Sequence, residues 1–108
     1  MRFRMAHPTL IQILLPLRDN DGHPYPAAEF ARVRQDLLDE CGGVTAHLAA
    51  PAQGVWRDEQ AIVLDSIVVF EAMAEELDRP WWAGYRRELE SRFRQHEIVV
   101  RALAMERL

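Results

Sequence analysis

Apolar positions fall into six blocks along the chain, and their spacing changes from block to block. Thr9 to Leu17 is the first; within it Leu10 to Leu15 has Gln12 as its only polar member, which predicts a strand buried on both faces. From Ala27 to Cys41 the residues Phe30, Val33, Leu37, Leu38 and Cys41 recur at helical spacing and form one apolar stripe. Thr45 to Ala50 predicts a second strand. Pro51-Ala52-Gln53-Gly54 breaks it, and Val55-Trp56 resumes pairing before the polar turn at Arg57-Asp58-Glu59-Gln60. That turn predicts a hairpin with the next block, Ala61 to Met73, whose Val and Ile content suits a pleated, half-buried surface. Ala72 to Asp78 reads equally as the end of that strand or as a short helical turn. Trp82, Tyr85, Leu89 and Phe93 mark a second helix over Trp81 to His96, and Ile98 to Met105 predicts the last strand.

The punctuation agrees with these blocks. Pro26 fits the first turn of the first helix, where its missing N–H costs nothing. Gly42-Gly43 ends that helix, because glycine tolerates the left-handed conformation of a helix stop. Pro80 suits the first turn of the second helix, and His96 stands at its end, where a cation favours the helix dipole. Glu88–Arg92 and Glu90–Arg94 are spaced as ion pairs on its wet side. The order strand, helix, strand, strand, helix, strand predicts an α+β, ferredoxin-like βαββαβ fold. In it two helices cover one face of a four-stranded antiparallel sheet of order 4-1-3-2, and residues 1–108 form a single domain.

Alternation along the strands assigns two faces. The helices should cover the uniformly apolar sets, such as Ile11, Ile13 and Leu15. The other face then holds Leu10, Leu14, Val63, Ile67, Val69, Val99, Leu103 and Met105, studded with Gln12, Asp65, Glu71 and Arg101. Such a face is too apolar for open water, and a homodimer, forming a sandwich or barrel, is the expected cover. Arg101 cannot shed its charge, so an ion pair with Asp65 or Glu71 is expected to fix register or dimer geometry. The sharper reading makes the same groups a ligand pocket, with His47 as an acid or base if it points the same way.

Composition narrows the function classes. With 49% hydrophobic residues in 108, the chain can build a core. The net charge of −4 gives no basic excess, so no nucleic-acid partner is expected. All thirteen basic residues are Arg, which GC-rich codon usage explains. The basic start is followed by an apolar run too short for a signal-peptide core and interrupted by Pro8, Gln12 and Pro16. No stretch approaches the ~20 apolar residues of a membrane span, so a soluble cytoplasmic protein without a membrane partner is expected.

Catalytic and metal patterns are sparse. Cys41 is the single cysteine and reads as a buried structural thiol. His7, His23, His47 and His96 show no zinc spacing. Asp19, Asp21 and His23 resemble a calcium loop in spacing alone: the glycine is misplaced and no Glu stands at the twelfth position, so no metal is expected. Ser66 and Ser91 lie on no nucleophile elbow, and Gly42-Gly43 precedes a strand and so makes no phosphate loop. Trp56, Trp81 and Trp82 read as core or helix anchors in preference to a ligand cleft. No cofactor is expected.

Cys41-Gly42-Gly43-Val44-Thr45, Gly54-Val55-Trp56-Arg57-Asp58 and the Tyr-x3-Leu-x3-Phe-Arg-Gln spacing within Trp82 to Val99 together resemble a family of small, uncharacterised bacterial proteins with a ferredoxin-like fold. The resemblance runs from Leu15 onward and implies the fold; it carries no catalytic residue with it. Two function classes follow. One is a non-enzymatic dimeric module that binds a small ligand or serves in assembly. The alternative is a cofactor-free enzyme of the dimeric α+β barrel type, such as a monooxygenase, isomerase or decarboxylase, which rests on analogy of fold.

Overall fold

The computed structural model describes residues 8–58 and 61–108, and side chains outside 47–65. Its elements are β1 (Thr9–Pro16), α1 (Ala27–Cys41), β2 (Thr45–Asp58), β3 (Ala61–Ala74), α2 (Arg79–Arg92) and β4 (Val99–Ala104). The strands form one antiparallel sheet in the order β2-β3-β1-β4, the expected topology. Among the described residues no helix is long and apolar enough to cross a membrane.

One face of the sheet makes the core. Ile11, Ile13 and Leu15 of β1 and Val68 and Phe70 of β3 pack against Phe30, Val33 and Leu37 of α1 and Trp82, Tyr85 and Leu89 of α2. Alternate strand residues and every third or fourth helix residue meet there, which is why both helices lie on the same side. Phe93 closes this core at the end of α2. Its ring stands 4.9 Å from that of Tyr25 and 5.8 Å from that of Phe30, and its carbonyl accepts the Tyr25 hydroxyl.

The element ends follow from local chemistry. Pro26 stands at the N-cap of α1, one position outside the helical turn expected for it. At the other end Gly42 takes φ 79° and donates its N–H to the Leu38 carbonyl at 2.8 Å, a left-handed stop that a side chain would strain. The Asp78 carboxylate caps α2 by accepting the Trp81 N–H at 3.2 Å, with Pro80 in the first turn.

Several boundaries differ from expectation. The second helix stops at Arg92, and His96 lies beyond it, so Arg92 is the cation of the last turn. The helical rhythm runs on through Phe93, but Arg94 adopts φ 50° and turns the chain away. Leu38 is 39% exposed, because α1 buries the narrower stripe Phe30, Val33 and Leu37. The Pro51 break proves to be an irregularity between His47 and Ala52 within one 14-residue strand. Ala72–Ala74 belongs to β3, with no helical turn after it.

The strands are unequal. β1 pairs with β3 from Pro16↔Ile67 to Thr9↔Ala74, whereas β2 follows β3 to Asp58↔Ala61. Residues 53–58 and 61–66 therefore extend past β1 as a two-stranded ribbon.

Candidate functional site

The face opposite the helices is built in rungs across β3, β1 and β4. Register places Gln12 opposite both Glu71 and Arg101. On one side Leu10 is flanked by Met73 and Leu103, and on the other Leu14 is flanked by Val69 and Val99. A polar rung thus lies between two apolar ones. Met73 is 47% exposed, Val99 44% and Leu103 42%, while Leu10, Leu14 and Val69 are half-buried.

The polar rung is hydrogen-bonded end to end. The Gln12 amide nitrogen donates to Glu71 Oε2 at 2.9 Å, and its carbonyl accepts from Arg101 Nε at 2.7 Å. An amide is both donor and acceptor, so it joins a carboxylate to a guanidinium in one direction only. Arg101 was expected to pair with Asp65 or Glu71; instead Gln12 stands between Arg101 and Glu71 and links them. Asp65 stands opposite Gly54 in the ribbon, past the last β1–β3 pair. That places its backbone about 20 Å along β3 from Glu71, six positions from the row. His47 lies opposite Val69 and Thr45 opposite Glu71. The side chains of His47, Asp65, Trp56 and Val63, and all of His7, lie outside the described residues.

Chemically the row offers a fixed guanidinium, a neutral amide and one carboxylate that can exchange a proton. Alternation along the strands identifies the face; the register that aligns Gln12 with Glu71 rather than Asp65 leaves no mark in sequence spacing.

A second polar cluster was missed by sequence reasoning. Arg92 Nη1 meets Asp36 Oδ2 of α1 at 2.8 Å, and the Tyr85 hydroxyl donates to the same oxygen at 2.9 Å. The expected partner Glu88 is 3.9 Å away. Arg92 is 10% exposed at its side chain, and its Nε and Nη2 have no hydrogen-bond partner. Burial, and then Asp36, push the Tyr85 hydroxyl well above its ordinary range. It therefore stays protonated and acts as a donor that helps clamp α1 to α2.

The sign of the pH effect follows. An unfolded chain loses this proton at about pH 10, while the fold keeps it to higher pH. The stabilisation is complete below that value and is lost as pH rises above it. Urea midpoints compared between about pH 8 and 11 should fall more steeply for the native protein than for Tyr85→Phe; parallel curves would show that Tyr85 is not responsible.

The remaining groups are structural in their contacts. Asp19, Asp21 and His23 bring ligand-type atoms within 4.8 Å of one another. Asp19 Oδ1, however, accepts the N–H groups of His23 at 2.8 Å and Asp21 at 2.9 Å, which holds the Asp19 carboxyl below its usual range and shapes the turn. Cys41 is half-buried beside a cleft of about 410 Å³ lined in part by Glu40, Glu75, Asp78 and Trp82. Burial, with Glu40, pushes the Cys41 thiol up, so it is a poor nucleophile. Trp82 lies in the core and Trp81 stacks on Tyr85 at 5.0 Å, so both anchor α2.

No family model matches the chain, and no curated protein matches it. Solved structures do. A phage SAM lyase in complex with S-methyl-5'-thioadenosine superposes with a TM-score of 0.63 at 13% identity, over 99% of this chain and 95% of that one. The phage SAM lyase in its apo state gives 0.62 at 16%, over 96% and 86%. CutA from Synechococcus elongatus PCC7942 gives 0.61 at 12%, over 95% and 80%. At these identities the likeness shows the fold, a small α+β domain of ferredoxin-like type. The resemblance to a family of bacterial proteins is supported no further than that.

Proposed function

We propose that this protein is a self-associating, small-ligand-binding or assembly module whose open sheet face is covered by a second copy. The observation that carries this is the pair of apolar rungs flanking a hydrogen-bonded polar one. Leaving such a patch in water forgoes about 25 cal/mol per Å² of apolar surface. Enclosed between copies, Glu71, Gln12 and Arg101 become the polar floor of a seam suited to a small polar or zwitterionic ligand. A cofactor-free enzyme is the second reading, favoured by the phage SAM lyase neighbour, in which Glu71 is the row's proton-exchanging group.

Sedimentation of the native protein at micromolar concentration should give more than the monomer mass. Leu103→Lys, at an exposed position, should return the monomer mass while leaving the melting temperature of the fold nearly unchanged. A native protein that sediments as a monomer would overturn the reading.

A further inference from the structure

We infer that two copies pair sheet to sheet about a two-fold axis parallel to β1, so that Glu71 of each copy meets Arg101 of the other. The inference rests on the self-association proposed above and specifies its geometry. Strand order sets the polar row as Glu71, Gln12, Arg101, with Gln12 on the midline. A closed pair of identical faces is isologous, so its axis lies between the two sheets. Of the axes that pass over Gln12, two also keep the strands of the two sheets aligned, as in aligned sheet packing.

An axis running across the strands lays Glu71 over Glu71 and Arg101 over Arg101, opposing like charges at both ends of the row. An axis along β1 exchanges the β3 and β4 sides. Each carboxylate then faces a guanidinium, and the apolar rungs stay in step, Met73 over Leu103 and Val69 over Val99. Charge decides between them. The distances agree. Packed sheets lie about 10 Å apart, which a Glu and an Arg side chain span together. A crossing of about 30° displaces the row's ends, one strand spacing from the midline, by roughly 2.5 Å. Two long side chains absorb that. Arg101 retains further N–H donors beyond the Nε used on Gln12.

The experiment is a charge exchange. Glu71→Arg and Arg101→Glu, each alone, should weaken dimerisation at least tenfold. Mixed in equal amounts, with one mass-tagged, they should form a one-to-one heterodimer of near-native affinity, read by native mass spectrometry. Circular dichroism checks the fold of each variant. A second measurement does not depend on charge. In a Cys41→Ser background, Leu14→Cys lies over its own copy only when the axis follows β1. A thiol crosslinker spanning about 10 Å should therefore join two copies. A native dimer whose charge-exchanged variants do not combine, or whose Leu14→Cys copies do not crosslink, overturns the axis and leaves self-association standing. A native trimer does the same. A native monomer overturns both.

Discussion

Phe93→Ala should lower the unfolding free energy by about 3–5 kcal/mol. The side chain is fully buried, and it joins three elements that are distant in sequence: its ring touches Tyr25 of the β1–α1 loop and Phe30 of α1, from its place at the end of α2. Removing it leaves a cavity that two flanking rings cannot fill without losing their edge-to-face geometry. Against a typical total of about 5–15 kcal/mol, the loss is a large fraction. At about 4–8 °C per kcal/mol for a domain of this size, the melting temperature should drop by well over ten degrees. Leu37→Ala, equally buried in α1, should cost about 2–5 kcal/mol. Urea unfolding measures both, and an unchanged midpoint for either would mean that the stripe it belongs to does not form the core.

Asp36→Ala should cost about 2–3 kcal/mol, more than a surface charge ordinarily contributes. Asp36 itself is 32% exposed, which reduces the effect below that of a fully buried pair. Its partner is the source of the cost. The Arg92 guanidinium is nine-tenths covered, two of its nitrogens already lack partners, and Asp36 holds the third. Without the carboxylate, a covered charge keeps only Glu88 at 3.9 Å, and the Tyr85 hydroxyl loses its acceptor. Arg92→Met keeps the aliphatic packing and removes the charge, so it should cost less than Asp36→Ala. The double variant should then lose less than the sum of the two. Additive losses in a double-mutant cycle would show that the two residues do not act as a pair.

These residues show what sequence pattern carries and what it leaves open. The limits of α1 were legible because Pro26 and Gly42 bracket the helical stripe, and the sheet order followed from the sequence of element types. The end of α2 was not, since Phe93 keeps helical spacing with Leu89 while serving as the cap; spacing records which side chains are buried, and the backbone can turn beneath them. Leu38 is apolar and adjacent to Leu37, yet about 100° of helical rotation takes it off the buried stripe. The open face could be read from alternation, because Gln12, Glu71, Arg101 and Asp65 all have the right parity. Register is another matter. It is set by connections 59 and 89 residues long, and parity alone admits Asp65 as readily as Glu71. Asp36 has no signal in the spacing along α1, since its partner Arg92 comes from a different helix.

The long reach of β1 has a kinetic consequence. The hairpin of β2 and β3 closes locally, in about 1–10 μs, before any partner of β1 is required. Joining Gln12 to Arg101 closes a span of 89 residues, and closure costs about 0.6 kcal/mol more with each doubling of length. The β1–β4 ladder is therefore among the last parts to form, and the polar rung is complete only when folding is. Chains that meet earlier carry the apolar rungs of β1 and β3 without the guanidinium that would orient them, and β1 presents an open edge. A neighbour's β4 fits that edge as well as the chain's own, so concentrated refolding favours copies that exchange their last strand.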